Sequence, residues 1–117
     1  MAIQRLHTNG RMSQIVVHNG TVYLAGQVGD DMAAGVEQQT REILASIERL
    51  LEEAGTDKTR ILSVTIYLKD IDAHFAGMNA VWDQWLPQGT APARATVEAK
   101  LCEPEILVEM SVVAALP

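Results

Sequence analysis

The 117-residue sequence holds one cysteine, Cys102. A single thiol forms neither an internal disulfide nor a Cys-x-x-Cys pair, which is in keeping with a reducing, cytoplasmic setting and a fold held by its core. Basic residues are few and scattered: nine Lys and Arg stand against fifteen Asp and Glu, a formal net charge of -6. Nucleic-acid binding relies on clustered cations that displace counterions from phosphates, so no nucleic-acid partner is expected. No apolar run approaches the ~20 residues needed to span a bilayer, so no membrane partner is expected either. Met1–Gly10 lacks the apolar segment of a secretory signal. His7, His18 and His74 stand singly, without HxH or HExxH spacing or a zinc-type cysteine set, which argues against a metal site. Gly26-Gln27-Val28-Gly29 lacks the spacing of a phosphate loop. There is no Pro/Ser/Gly-rich linker, repeat or low-complexity stretch, so residues 1–117 are expected to form a single domain.

Apolar residues make up 48% and charged residues 21% of the chain, ordinary values for a globular protein. Ile15-Val16-Val17-His18 is a β-branched run followed by Asn19-Gly20, the strongest local hairpin-turn signal, and Thr21–Ala25 is the return strand. Val36, Ile43, Leu44, Ile47, Leu50, Leu51 and Ala54 recur at helical spacing, so 36–54 is a helix closed by Gly55. Ile61–Lys69 alternates as a strand with Leu62, Val64, Ile66 and Leu68 on one face. Asp72 is expected to cap a second helix running to about Leu86, with Phe75, Met78, Trp82 and Trp85 or Leu86 buried. Arg94–Leu101 and Ile106–Ala115 complete the set as a second hairpin, with Ile106, Val108, Met110 and Val112 facing the core. The order predicts an α+β fold, a mainly antiparallel sheet with two helices on one face. The other face carries Leu107, Val113 and Ala115 with nothing left to cover it, which points to self-association in symmetric copies.

The candidate site residues cluster near the C-terminus. Alternation with Ala95, Val97, Ala99 and Leu101 as the core row places Arg94, Thr96 and Glu98 on the face away from the helices. Pairing Leu101 with Ile106 sets Glu109 opposite Glu98. Arg94 and Glu109 are then separated by about four residues, ~13 Å, so they would serve different parts of a ligand or act across chains. Two interpretations stand on pattern alone. Interfaces are rich in arginine, so both residues are candidates for ion pairs between subunits. Alternatively, a guanidinium offers a planar two-donor fork for a carboxylate, and a nearby Glu orients a water or carries a proton. Cys102 reads as a bland thiol, Trp82 and Trp85 as core packing before ligand stacking, and Asn79 as a polar helix residue beside a core position.

Pro92-Ala93-Arg94-Ala95-Thr96-Val97-Glu98-Ala99-Lys100-Leu101, six residues, then Val108-Glu109-Met110 resembles the C-terminal signature of the RidA/YjgF/RutC family. Ala25-Gly26-Gln27, Val64–Asp70 with its Lys-Asp exit, and Met78-Asn79-Ala80 agree with it in order. The resemblance covers nearly the whole chain. It implies a chorismate-mutase-like fold and a homotrimer with ligand sites in the clefts between chains. It implies hydrolysis of 2-aminoacrylate-type enamines and imines to 2-oxo acids and ammonia, with no metal or organic cofactor. Arg94 matches the family's carboxylate-binding arginine, and Glu109 matches the acidic residue associated with the attacking water. Asn79 matches a site-lining asparagine and Gly26 the backbone beside the ligand. Thr96 stands where the best-studied branch has cysteine, so a hydroxyl replaces a thiol among the substrate-binding groups. Arg11-Met12-Ser13-Gln14 replaces a stretch carrying tyrosine, and Ala25 replaces serine. The chain is therefore similar to divergent, YoaB-like members. Three functions stay open: the imine deaminase, a non-catalytic or regulatory module binding small carboxylates or 2-oxo acids, and a protein-interaction, chaperone-like or ribonuclease role.

Overall fold

The computed structural model describes residues 2–117. The strands are β1 (Gln4–Thr8), β2 (Ser13–His18), β3 (Thr21–Leu24), β4 (Ile61–Leu68), β5 (Ala93–Glu98) and β6 (Val108–Ala115); the helices are α1 (Val36–Ala54) and α2 (Ile71–Trp82). They form one six-stranded sheet in the order β1-β2-β3-β6-β4-β5. All pairs are antiparallel except β4 with β5.

The β2–β3 turn forms at Asn19-Gly20, both with positive φ, as a type I′ hairpin requires. Helix α1 spans the expected residues. Gly55 ends it in the left-handed conformation, φ 93°, a position that penalises any residue with a β-carbon. Val36, Ile43, Leu44, Ile47, Leu50 and Leu51 of α1 pack on Ile15, Val22, Val64, Ile66, Val108, Met110 and Val112 in one contiguous core. Polar residues join this buried side, Gln39 and Thr40 most completely. The Gln39 amide donates to the Ala34 and Glu105 carbonyls and accepts from the Leu107 N–H. The Thr40 hydroxyl donates to the Val36 carbonyl one turn earlier.

Several expectations need correction. Strand β1 was not anticipated; it pairs with β2 through Gln4↔Val17 to Thr8↔Ser13 and forms one sheet edge. The cap of α2 is Asp70, which accepts from the Ala73 N–H at 3.1 Å, rather than Asp72. The helix ends at Trp82, because the chain turns there through Asp83, Gln84 and Trp85. Phe75 is 43% exposed and lies outside the core.

The larger correction concerns β5, which forms no hairpin with β6. The segment β4–α2–β5 is a crossover unit that lays β5 parallel to β4 at the far edge of the sheet, with Val64↔Arg94, Ile66↔Thr96 and Leu68↔Glu98 in register. Residues 99–107 then arch back over the end of β4, pinned where the Lys69 ammonium donates to the Pro104 carbonyl. This return lets β6 enter between β3 and β4. Residues in register on neighbouring strands share a face. Val64, Ile66 and Leu68 face the helices, so Arg94, Thr96 and Glu98 do too. Ala95 and the 42%-exposed Val97 occupy the open face, the reverse of the expected arrangement.

Candidate functional site

The expected site residues form two groups. The first sits where α2 meets the edge strand β5. Arg94 and Thr96 project from β5 toward the helix layer, and Asn79 and Trp82 come from successive turns of α2. The Arg94 guanidinium carbon lies 5.2 Å from the centroid of the Trp82 ring. Among the described residues Arg94 makes no side-chain hydrogen bond and no ion pair. Glu98, the carboxylate nearest along its row, accepts instead from the Ile71 N–H at the start of α2. Asn79 Oδ1 is buried without a partner. A buried acceptor left unmatched costs about 1–3 kcal/mol and is uncommon in a native fold. The group therefore combines a cation with all its donors free and an acceptor with none.

The second group lies on the open face. Glu109 pairs across to Tyr67 of β4, and its side chain lies over Gly26, where the bridge between Gln27 and Met110 brings the end of the β2–β3 hairpin against β6. The Gln27 amide donates to Gln14 Oε1 and to the Ala25 carbonyl, which fixes the backbone on both sides of Gly26. Farther along this loop Glu42 accepts from the Asp30 and Asp31 N–H groups. The Asp31 N–H, with the Gln38 amide, holds the Glu42 carboxyl below its usual range.

Arg94 and Glu109 sit two strands apart and three residues along, a backbone separation on the order of 14 Å, and they project from opposite faces of the sheet. The structure thus puts Arg94 and Thr96 on one row of β5 with Arg94 against Trp82, one turn of α2 after Asn79, joins Gly26 and Glu109, and holds the two groups apart within one chain. The spacing of Trp82 marks it first as a core residue. It is 7% exposed, yet one of its faces carries the Arg94 guanidinium. The available signal was its position three residues after Asn79, on the same side of α2. A surface cavity of about 540 Å³ lies elsewhere, lined by residues that include His7, Gln27, Arg49 and Glu53; Arg94, Asn79, Thr96 and Glu109 are not part of it. Among the described residues no group of three or more His, Cys, Asp or Glu is placed to hold a metal ion. No helix among them is long and apolar enough to cross a membrane.

Residues 2–116 match the family described as endoribonuclease L-PSP. The RutC family protein YoaB of Escherichia coli K12 is 42% identical over 116 residues, covering 99% of this chain and 100% of that protein. A RutC family protein of Haemophilus ducreyi is 40% identical over 114 residues, 97% of each chain. A crystal structure of an uncharacterized protein from Pseudomonas aeruginosa superposes with TM-score 0.95 at 45% identity, covering 99% of this chain and 100% of the other. A YjgF family member from Neisseria meningitidis gives TM-score 0.95 at 41% identity, covering 100% and 97%. The signature around Arg94 and Glu109, the two helices on a mostly antiparallel sheet and these full-length similarities together place the chain in the Rid/YjgF/RutC family.

Proposed function

We propose that this chain hydrolyses reactive enamines and imines of small amino acids, of the 2-aminoacrylate type, to 2-oxo acids and ammonia, in a cleft that a second copy of the chain completes. The observation that carries this is Arg94: its guanidinium rests on Trp82 and none of its donors has a protein partner among the described residues. A fork of that kind suits a carboxylate, which it binds through two parallel N–H···O bonds. The unmatched Asn79 Oδ1 suits an N–H on the same ligand.

The chemistry asks little more. An imine carbon is already electrophilic, so fixing the carboxylate and one water supplies much of the acceleration. Glu109 takes a proton from the water as its oxygen bonds to the imine carbon, and the C=N electron pair moves to nitrogen. The same carboxyl then returns the proton to nitrogen. Collapse of the carbinolamine expels ammonia and leaves the C=O of the 2-oxo acid. Thr96 supplies a hydroxyl beside the carboxylate, and Gly26, lacking a side chain, leaves room for the Glu109 carboxyl to lie against the backbone.

The open face supports assembly into a homotrimer. It presents Val16, Tyr23, Val97 and Val113 among polar residues, with Tyr23 47% exposed, and an uncovered apolar face of this kind marks an interface. Because Glu109 shares that face and Arg94 does not, a site using both draws them from different protomers.

The test is ammonia release from imines generated in situ by an amino-acid oxidase. The expected result is acceleration by the wild-type protein and none by Arg94→Ala. Equal rates with and without wild-type protein would end the proposal. A second reading, carboxylate binding without turnover, needs only the Arg94 group, which a single chain assembles. Calorimetric binding of 2-oxobutyrate that depends on Arg94, without turnover, would select it.

A further inference from the structure

We infer that Trp82 is the positioning residue for Arg94, an aromatic seat that orients the guanidinium while leaving its hydrogen-bond donors for the ligand. This rests on the carboxylate-binding role proposed above. A cation at the edge of a sheet has many rotamers, and a grip on one ligand requires one of them. A carboxylate partner would fix the rotamer but occupy the same fork the ligand needs. A tryptophan face attracts the cation through its ring quadrupole and consumes no N–H. The 5.2 Å separation between guanidinium carbon and ring centroid lies within the range of that attraction.

The seat is itself braced. The Trp82 and Trp85 ring centroids are 5.5 Å apart with planes at 53°. Trp85 Nε1 donates to Glu48 Oε1 of α1 at 2.8 Å. The Lys58 ammonium pairs with that same oxygen at 2.7 Å and stands 5.4 Å from the Trp85 ring centroid. A chain of contacts therefore runs from α1 through Glu48, Trp85 and Trp82 to Arg94. Nothing else in the described structure engages the guanidinium, since Glu98 is committed to the Ile71 N–H.

The test combines NMR of the arginine Nε–H groups with calorimetry of 2-oxobutyrate binding, on full-length protein. In the wild type the Arg94 Nε–H, assigned through Arg94→Lys, is expected upfield of the other arginines by the ring current of Trp82. Trp82→Leu is expected to erase that shift and weaken 2-oxobutyrate binding about five- to tenfold. In the imine assay the loss falls on KM more than on kcat, because the grip on the carboxylate is uniform binding. Trp82→Phe keeps a ring face and is expected to restore most of the affinity, a recovery that bulk core packing alone does not predict of a smaller ring. Melting temperatures identify any variant that fails to fold; for such a variant the wild-type shift and Trp82→Phe decide. An unshifted Arg94 Nε–H in the wild type overturns the inference, as does undiminished binding by folded Trp82→Leu. A wild-type protein that shows the shift but binds no 2-oxo acid refutes the proposed function while upholding the Trp82–Arg94 contact.

Discussion

The Glu109 side chain lies across Gly26, so that a β-carbon at position 26 would stand 3.1 Å from Glu109 Cδ and closer still to Oε2. Gly26 does not have positive φ, so an alanine fits the backbone there without strain. The atom in its way is the end of a flexible side chain, which yields by swinging aside. Gly26→Ala is therefore expected to leave thermal stability within about 0.5 kcal/mol of wild type. Displacing the carboxylate from its place by an ångström or so is expected to reduce imine hydrolysis by about 100-fold. A melting curve and the ammonia assay on the same sample separate the two effects. Wild-type turnover by folded Gly26→Ala would mean that the seat of Glu109 is unimportant to the reaction.

Gln39 offers the converse, a stability effect at a residue that touches no ligand group. Its fully buried amide makes three hydrogen bonds of 2.9–3.0 Å to the backbone at Ala34, Glu105 and Leu107. Gln39→Leu fills similar space and leaves those groups unmatched, at a cost of about 3 kcal/mol. For a chain of this size that is a fall of roughly 10–20 °C in melting temperature. The link through Leu107 fixes the entry of β6, so hydrogen exchange near its first residues is expected to accelerate before the rest of the sheet.

These residues show how far local pattern reaches. The span of α1 and its Gly55 stop were legible because periodicity and a left-handed end are local properties. The face of β6 and that of β4 from Val64 onward were legible because both strands are central and carry apolar rows. Leu62 was misplaced: the register shifts between Ile61 and Ser63, so Ile61 is buried in its stead and Leu62 is 51% exposed. Strand β5 was not. Alternation divides Arg94–Leu101 into two faces but does not say which is inside, and at an edge the Ala/Val row can face outward while Arg94 and Thr96 lie beside α2. Its partner, β4, is a full helix away in sequence, so adjacency to β6 in the chain misled. Strand β1 is short, mostly polar and at the other edge. Asp70 and Asp72 offer the same capping side chain, and only the packing of α2 decides between them. The signature around Arg94 and Glu109 was visible, but their placement on opposite faces depends on the crossover and is invisible to spacing.

Glu42 yields a pH dependence. Its carboxylate accepts from the Asp30 and Asp31 N–H groups, and its pKa lies below the ordinary 4.5, chiefly through the Asp31 bond. A carboxyl whose folded-state pKa is depressed adds stability that is fully present above its unfolded value and is lost as the pH falls through the folded one. The loop after Gly29 is therefore expected to stay tied to α1 above about pH 4.5 and to loosen below it. Protection factors of the Asp30 and Asp31 amides, corrected for intrinsic exchange, should fall over that acid range. In Glu42→Ala they should be low and insensitive to pH. Protection that holds to pH 2 in the wild type would show that the carboxylate is not what fastens the loop.

The separation of Arg94 from Glu109 makes a prediction about assembly. If the working site takes Arg94 from one protomer and Glu109 from another, Arg94→Ala and Glu109→Gln are each inactive alone but not when mixed. In randomly assembled oligomers of the two, a site is intact when its Arg94 comes from a Glu109→Gln protomer and its Glu109 from an Arg94→Ala protomer. The probability is one half times one half, so about a quarter of wild-type activity should return for any closed ring in which each site spans two neighbours. A site contained in one chain returns none, since every protomer carries one lesion. Co-expression with two affinity tags, double purification to remove unmixed oligomers and the ammonia assay read the difference. For a trimer that purification raises the expected recovery from about a quarter to about a third, one intact site per mixed ring. Light scattering on the same sample gives the number of protomers. Full inactivity of a mixed oligomer, with both parents folded, would place the reaction within one protomer, and Glu109 could then have no part in it beside Arg94.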